Sequence, residues 1–338
     1  MTRIILHIGH HKTGSTALQY SLAAHRKHLE KLGILYPKLP GWNFVHHALF
    51  PYFFGIERCD PFILRRLGRP GSQALDASFE AWNQVKRQLI KQQPKTLLLS
   101  SESFFYVGEK EQMQRVARIL REVADELEIV LYVRNPAEFV LSSISTQIQM
   151  DPHFHWPPPD IRKAVIESYQ YLQPDKLHVL KFDKAELENG DITEDFCSRI
   201  LPPSVKISSS FSANETMSAE AMLLMKQYGE RNNSSRSKPM PVKQQVFRRI
   251  LKHLDRHVHL FRRPNLRPDA ETSILRGSTD MDWLAANYNI RWQCPDSKKK
   301  TDGGNFNYGS TFDIADICQL DSDRKTRLQK YMSMLGLY

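Results

Sequence analysis

The chain has 338 residues, of which 41% are hydrophobic and 25% are charged, a composition typical of a globular protein with a sizeable core. The formal net charge of +10 favours an anionic partner: a nucleotide, an acidic glycan, a membrane face or a nucleic acid. No apolar run approaches the roughly 20 residues of a membrane-spanning helix, and the N-terminal run is too short for a signal peptide. We therefore expect a cytoplasmic protein without a transmembrane segment, and peripheral contact with a membrane stays open.

The first predicted elements are a buried strand over residues 4–8 and a helix over residues 15–32, joined by a loop with a glycine at each end. The N–H groups of a first helical turn have no intrahelical partner, so this junction predicts an anion site. The glycines have the spacing of a nucleotide-triphosphate loop, but Ser15 stands where that loop has its lysine. The lysine is Lys12 instead. An ordinary connection with a solvated lysine is the alternative interpretation.

An aromatic segment over residues 33–71 follows, with prolines at intervals and with His46 and His47 in its middle. Its length and apolar character predict a partly helical insertion that packs over the active face. The two histidines are candidates for binding an acceptor substrate, and their alternative role is simple packing. The next predicted helix, over residues 76–93, places four apolar side chains on one stripe: Phe79, Trp82, Val85 and Leu89.

Short apolar runs then alternate with helical periodicity. Strands are predicted over residues 96–100, 128–133 and 176–182, and helices over residues 109–126, 136–150, 160–172 and 192–200. This alternation predicts an α/β fold with a P-loop-like, mainly parallel sheet and helices on both faces. Ligands bind beyond the carboxyl ends of such strands. Glu102, Arg134 and the first loop each follow a strand end, so we expect them to share one crevice.

The pattern weakens beyond residue 200. Helices are predicted over residues 218–230, 242–257, 269–288 and 321–335, with mobile or polar stretches between them. We therefore predict a single domain over residues 1–338, in which residues 1–200 form a nucleotide-binding α/β core and residues 201–338 a mainly helical extension. The scattered cysteines have no zinc-ligand spacing and indicate reduced thiols, and no nucleic-acid-binding motif is present. We accordingly expect no nucleic-acid partner.

A second anion motif lies after the strand over residues 128–133. Arg134 is followed by Asn135-Pro136, and Ser142 comes eight residues after the arginine. If the helix begins at Pro136, the arginine lies in the preceding loop and the serine two turns along, so both could reach one phosphate. The alternative is a surface arginine and a surface serine.

The two motifs together resemble the sulfotransferases that use 3′-phosphoadenosine 5′-phosphosulfate (PAPS). Lys-Thr-Gly-Ser-Thr at residues 12–16 is similar to their 5′-phosphosulfate loop and looks closest to the bacterial and carbohydrate members. Arg134 with Ser142 is similar to their 3′-phosphate motif. The resemblance covers about residues 1–200. It implies a P-loop-like fold whose cofactor-binding residues are Lys12, Thr13, Gly14, Ser15, Thr16, Ala17, Arg134 and Ser142. Arg262, Arg263 and Lys298–Lys300 are weaker candidates for completing the 3′ site.

The resemblance implies transfer of the sulfonate of PAPS to a hydroxyl, with release of 3′-phosphoadenosine 5′-phosphate (PAP) and without a metal. A carbohydrate or glycolipid is the favoured acceptor. Glu102 matches a catalytic glutamate of heparan-type sulfotransferases, although Ser103 follows it here in place of lysine. In a closing cleft its pKa is predicted to rise towards neutrality, as suits a general base. Alternatively the glutamate caps a helix or forms a salt bridge. Lys12 would stabilise charge on the transferring group.

Several alternatives stay open from the sequence. A histidine could replace Glu102 as the base, with His11, His46 and His47 as candidates. The chain could instead be a P-loop nucleotide kinase or phosphotransferase, although Ser15 in place of the lysine argues against that class. It could also be a non-catalytic protein that binds an anion or a polysaccharide.

Overall fold

The structure is a computed structural model in which residues 2–68, 72–149, 151–152, 161–209, 216–232, 240–257, 261–293 and 313–338 are described. The chain divides into two compact units. The first comprises Met1–Arg134, Ile161–Ala213 and Ala286–Ile290, and the second comprises Asn135–Asp160, Asn214–Ala285 and Arg291–Tyr338. The organisation predicted from the sequence, one domain with a change of character near residue 200, stays a prediction.

The first unit is built on a five-stranded, all-parallel sheet with the strand order β2-β3-β1-β4-β5. The strands are β1 (Arg3–His7), β2 (Ile34–Leu35), β3 (Thr96–Ser100), β4 (Glu126–Arg134) and β5 (Lys176–Phe182). The predicted α/β fold with a mainly parallel sheet flanked by helices is confirmed. β2 is an addition, because its two residues are too short a run to show a period.

The helices, in chain order, are α1 (Ser15–Ala24), α2 (Arg26–Lys31), α3 (Phe50–Phe54), α4 (Pro61–Leu67), α5 (Ser72–Gln92), α6 (Lys110–Arg121), α7 (Pro136–Gln147), α8 (Arg162–Gln170), α9 (Ile192–Ile200), α10 (Ala219–Arg231), α11 (Val242–His257), α12 (Pro268–Arg276), α13 (Asp280–Tyr288), α14 (Ile314–Ile317) and α15 (Ser322–Met334). Two predicted helices are each divided: His25 separates α1 from α2, and residues 277–279 separate α12 from α13. None of the described helices is both long enough and apolar enough to span a bilayer.

The register of the central strands decides where their loops emerge. His7, the last residue of β1, lies opposite Ser100 of β3 on one side and Val130 of β4 on the other. The loops after β1 and β3 therefore leave the sheet side by side. β1 is also the point from which the strand order proceeds in opposite directions, and such a point is where open α/β sheets bind ligands.

Burial explains why these segments are strands. All five residues of β3 are buried, and β4 has seven buried residues in succession, as expected for parallel strands covered on both faces. Against one part of the sheet, α1 and α9 contribute Leu18, Leu22 and Phe196 to a core that includes Ile5 and Val130. This packing fixes the beginning of α1 close to the end of β1.

The second unit is helical in its described residues. Its core joins apolar side chains of α7, α10, α11, α12, α14 and α15, among them Ile144, Leu224, Phe247 and Leu328. At one side of that core, Arg324 of α15 lies 2.6 Å from the carboxylate of Asp255 and 3.4 Å from that of Glu220. The arginine thereby ties α15 to α11 and α10.

Candidate functional site

The loop between β1 and α1 is held in a tight conformation by its own side chains. Thr13 Oγ1 donates a hydrogen bond to the His10 carbonyl at 2.6 Å and lies 3.4 Å from Ser15 Oγ. Lys12 has a φ of 69° and Gly14 a φ of 76°, both in the left-handed region that disfavours most side chains. A Cβ at Gly9 would lie 2.4 Å from Ser15 Oγ, so that position has no room for a side chain.

Helix α1 begins directly after this loop, and no side chain caps its N-terminus. Gly14 is the N-cap residue, and it provides no side-chain hydrogen bond. The first N–H groups of the helix therefore have no side-chain partner and could donate to an anion. The Ser15 side chain is buried beside Thr13, and the half-buried Thr16 hydroxyl lies 3.5 Å from Oε1 of Glu102. Ala17, predicted with them, is buried and packs in the core of the first unit.

Arg134 joins the end of β4 to this loop. Its Nη1 donates a hydrogen bond to the Lys12 carbonyl at 2.8 Å, and its guanidinium lies 5.5 Å from the centre of the Phe182 ring. Burial lowers the pKa of Lys12, and the charge of Arg134 lowers it further, while Glu102 acts in the opposite direction. The two cations predicted from separate motifs therefore lie near enough to influence each other electrostatically.

Arg162 is a further cation that sequence analysis missed. It begins α8 and is fully buried. Burial lowers the pKa of His10 well below its ordinary value, and the charges of Arg162, His11 and Arg134 add to that effect. Positive charge is thus concentrated around the loop. A single arginine at a helix start carries no sequence signal, so only the fold reveals it.

Glu102 lies directly beside the loop, as predicted. It begins a short 3₁₀ turn after β3, and its Oε2 is 3.3 Å from Nδ1 of His11 while its Oε1 is 3.5 Å from Oγ1 of Thr16. The predicted rise in its pKa is wrong. Burial does raise the pKa of Glu102, but the hydrogen bond from His11 and the charges of His11, His47 and Lys12 outweigh burial and lower it.

The ring of His47 contacts the hydroxyls of the two serines that precede and follow Glu102 in the chain. Its Nδ1 lies 2.6 Å from Ser101 Oγ and 2.8 Å from Ser103 Oγ, and the two hydroxyls are 2.6 Å apart. Burial lowers the pKa of His47 to about 4, so its ring is neutral near pH 7. Trp42 packs edge-on against this ring at 5.5 Å. The aromatic insertion thus reaches the carboxyl end of β3.

His46 points the other way and is bonded to backbone. The Ser100 N–H donates to its Nδ1 at 2.9 Å, and its Nε2 lies 2.9 Å from the Pro37 carbonyl. Its ring is fully buried, and burial lowers its pKa to about 4. This bonding supports the packing role for His46 and gives the ring no nitrogen with which to bind an acceptor.

A cluster of three buried polar residues lies beneath the site, and the sequence analysis did not find it. Nδ1 of His7 lies 2.7 Å from Ser100 Oγ, and Nε2 of Gln19 donates to the same hydroxyl at 3.1 Å. The three residues link β1, β3 and α1 just below the loop. Their hydrogen bonds add to the backbone pairing that already joins the two strands.

Ser142 lies in α7, in the second unit, and its role at the 3′-phosphate stays a prediction. The preceding residues have a clear local function: the Asn135 side chain accepts hydrogen bonds from the N–H groups of Ala137 and Glu138 at 2.8 and 3.4 Å, so it caps α7. Arg262 and Arg263 also belong to the second unit. Lys298–Lys300 lie outside the described residues.

Neither the fold nor the described side chains identify a metal site. Within the described ranges, no group of three or more histidine, cysteine, aspartate and glutamate residues could hold a metal ion. Fold and site together define an α/β protein with a candidate anion-binding loop and an adjoining histidine–glutamate pair. Comparison with protein-family models, curated proteins and solved structures finds no match for the chain.

Proposed function

We propose that the protein is a PAPS-dependent sulfotransferase that moves a sulfonate from PAPS to a hydroxyl acceptor. The observation that carries the proposal is the position of Glu102 and His11 close to Lys12. All three lie at the loop that precedes α1, a helix whose N-terminus no side chain caps. Sulfonate transfer to a hydroxyl requires a positively charged site that binds the donor and, next to it, a pair of residues that accepts a proton. Both would lie at the same end of the sheet.

The donor's 5′-phosphosulfate would bind at the start of α1. The first-turn N–H groups and the Thr16 hydroxyl would hold its oxygens, and the Lys12 ammonium would offset the negative charge that develops on the leaving phosphate. Arg134 would contribute charge from the end of β4. PAPS takes part in the reaction as a substrate, and the proposed transfer uses no metal.

His11 is the better proton acceptor of the pair, for two reasons. The lowered pKa of Glu102 makes its carboxylate a weak base, and both of its oxygens lie near protein donors, Nδ1 of His11 and Oγ1 of Thr16. The His11 side chain is also more exposed, 55% against 25% for Glu102. The carboxylate would favour the tautomer with hydrogen on Nδ1, which leaves Nε2 to accept a proton.

The transfer then balances as follows. The acceptor O–H gives its proton to Nε2 of His11 as its oxygen forms a bond to sulfur. The bond between sulfur and the bridging oxygen breaks, and PAP leaves with the electron pair on its phosphate beside Lys12. Glu102 stabilises the imidazolium that has formed, and solvent later takes up the proton.

A carbohydrate or the sugar of a glycolipid is the proposed acceptor. Support comes from the half-buried polar side chains beside Glu102, namely the Ser103 hydroxyl and the neutral ring of His47, which are held in place by the buried Ser101 and Trp42. A hydroxyl and an imidazole that are partly exposed suit a polyhydroxylated ligand. A cytoplasmic location belongs to the proposal as well, and the buried free thiols of Cys59, Cys197 and Cys318 agree with a reducing compartment.

A ligand-induced shift in melting temperature tests the donor. PAP at saturating concentration should raise the melting temperature more than ATP with magnesium, because a ligand specific for the folded state stabilises by mass action. A larger shift with ATP and magnesium would favour a phosphotransferase instead. Incubation with ³⁵S-labelled PAPS and a panel of glycans should then yield labelled product; PAP binding without transfer to any acceptor would favour a non-catalytic binding protein.

A further inference from the structure

Lys12 has a backbone conformation that its position in the chain does not explain. Its φ of 69° lies in the left-handed region, where the Cβ of an L-residue crowds a carbonyl oxygen. Among the residues that the structure describes, four other non-glycine residues have a positive φ: Gln93, Gln173, Asn189 and Asn289. Three of these follow the C-terminus of a helix, where a left-handed residue is a common termination, and the fourth is an asparagine, which tolerates this region. Lys12 precedes a helix instead, so its conformation needs another source of stabilisation.

Arg134 acts on the carbonyl of this same residue. Its Nη1 donates a hydrogen bond to the Lys12 carbonyl at 2.8 Å, although the two residues are 122 positions apart in the chain. A hydrogen bond from a charged donor is stronger than one between neutral groups. This contact, which we call the Arg134 clamp, fixes the peptide plane between Lys12 and Thr13. Another backbone conformation at Lys12 would move the carbonyl away from the guanidinium.

The guanidinium of the clamp is itself held from the sheet. Arg134 is the last residue of β4 and is paired in register with Phe182, the last residue of β5. The centre of the Phe182 ring lies 5.5 Å from the guanidinium, within the range of a cation–π interaction. The same ring packs against the loop, because its Cε2 would lie 3.3 Å from a Cβ at Gly14. The clamp therefore extends from the ends of two paired strands.

A fixed backbone at Lys12 also restricts where its ammonium can lie. The side chain is half-buried, and the charges of Glu102 and Arg134 both act on the pKa of Lys12, in opposite directions. Its ammonium therefore lies near both groups. A cation that is already in place stabilises developing negative charge without a cost of reorganisation. The conformation of the loop thus matters for what the lysine can do.

We propose that Arg134 is a positioning residue, whose hydrogen bond to the Lys12 carbonyl maintains the left-handed conformation of Lys12 and prepares the loop to bind an anion. This role is separable from the charge that Arg134 contributes at the site. The consequence for sulfonate transfer rests on the proposed function, whereas the consequence for the conformation of the loop does not.

The test compares Arg134→Met in two backgrounds that both lack the Lys12 ammonium. Lys12→Ala and Lys12→Gly differ in the cost of the left-handed conformation, which glycine adopts readily. Arg134→Met removes the donor and the charge but keeps most of the side-chain volume. It should weaken PAP binding about tenfold more in Lys12→Ala than in Lys12→Gly, because only alanine needs the clamp. Isothermal titration calorimetry on the full chain measures the four affinities.

A second measurement needs no ligand. The ¹³Cα and ¹³Cβ chemical shifts of Lys12 in the free protein should indicate the left-handed conformation in the wild type and should lose that signature in Arg134→Met. The matched control is Arg121→Met. Arg121 also donates to a backbone carbonyl, that of Asp125 at 2.6 Å, but it does so at the amino end of β4. The control should leave both the chemical shifts of Lys12 and the PAP affinity unchanged.

Two results would overturn the proposal. Equal weakening of PAP binding in the two backgrounds would assign the whole effect of Arg134 to its charge. Left-handed chemical shifts that persist at Lys12 in Arg134→Met would show that the clamp does not maintain the conformation. Absence of PAP binding by the wild type would remove the proposed function, and the chemical shifts of the free protein would then decide the proposal alone. Circular dichroism spectra of all variants separate these results from misfolding.

Discussion

Nδ1 of His11 lies 3.3 Å from Oε2 of Glu102, although 91 residues separate them in the chain. The pair exists because β1 and β3 are neighbours in register, so that the loops after them leave the sheet together. One member comes from the anion-binding loop and the other from the turn after β3. Their contact links the proposed donor site to the proposed proton transfer.

The first prediction concerns which member accepts the proton. His11→Ala should lower kcat by about 10²–10⁴-fold and leave PAP affinity unchanged, because general-base catalysis contributes on that scale. Added imidazole should restore part of the lost activity, since it can occupy the space of the missing ring. The measurement is the initial rate with ³⁵S-labelled PAPS, with and without imidazole.

Glu102 supplies the control for this assignment. Glu102→Gln should reduce kcat without rescue by imidazole or by formate, because the histidine is present but no longer held in its productive tautomer. Rescue of Glu102→Ala by formate, with near-normal turnover in His11→Ala, would make the carboxylate the base. ¹⁵N spectra of His11 give a readout separate from activity: the Nδ1–H tautomer should predominate in the wild type and lose its excess in Glu102→Gln.

A second prediction tests the conformation of the loop. In Gly9→Ala the new methyl group would lie 2.4 Å from Ser15 Oγ and 3.1 Å from Ser15 Cβ, so the Ser15 side chain or the loop backbone must shift to accept it. Overpacking of this kind costs about 1–3 kcal/mol, and we expect PAP affinity to fall by roughly tenfold. Isothermal titration calorimetry with PAP measures the change.

Gly68→Ala is a suitable comparison for that experiment. Gly68 has a φ of 71° and nothing within 4 Å of a Cβ, so alanine there should cost about 1–2 kcal/mol of stability through backbone strain alone. PAP affinity should not change. Equal losses of affinity in the two variants would mean that Gly9 acts through general stability and not through the shape of the loop.

The sequence predicted most of the sheet and the main ingredients of the site, because both depend on local patterns. The apolar runs of β1, β3, β4 and β5 stand out from their surroundings, and the glycine-bounded loop has a recognisable order. Lys12, Glu102 and Arg134 were found because each follows a predicted strand, although the observed β4 includes Arg134 as its last residue. A parallel sheet brings such positions to one edge.

What the sequence missed depends on contacts between distant residues. Phe79 falls on the predicted apolar stripe of α5, yet it is 43% exposed and packs against Tyr52 at the surface. The lowered pKa of Glu102 arises from His11 and His47, which reach it from two other segments. The buried charge of Arg162 likewise has meaning only once α8 is placed against the sheet. Periodicity contains none of this information.

A third prediction concerns pH and the buried carboxylate of Glu128. It is 2% exposed and lies 3.1 Å from both Arg3 and Lys176 and 2.9 Å from His178. Burial raises its pKa, but these partners outweigh burial and lower it. Since the pKa is lower in the folded state, the ionised group stabilises the fold above the ordinary glutamate pKa of about 4.3, and that contribution is lost as pH falls through the folded value.

Glu128→Gln should therefore be less stable than the wild type at pH 7, by about 1–3 kcal/mol. The difference should shrink over the pH range below the ordinary glutamate pKa of about 4.3, because the wild-type carboxyl becomes protonated there as well. Urea denaturation of both proteins across this range provides the measurement. A difference that stays constant with pH would mean that shape, and not charge, makes Glu128 important.

The last prediction concerns Arg324, which links the three helices α10, α11 and α15. Arg324→Met keeps most of the side-chain volume but removes the charge between Asp255 and Glu220, whose side chains are 2% and 6% exposed. Loss of one partner from a buried ion pair leaves an uncompensated charge and costs about 3–5 kcal/mol. The free energy of unfolding of the second unit, followed by hydrogen exchange in α11 and α15, should fall by that amount.

Asp255→Asn in the same chain should recover part of the loss, since it removes one of the unpaired charges, and a double-mutant cycle measures the coupling. Additive losses in the double variant would show that the arginine stabilises the unit through packing of its aliphatic stem, with no energetic link to Asp255.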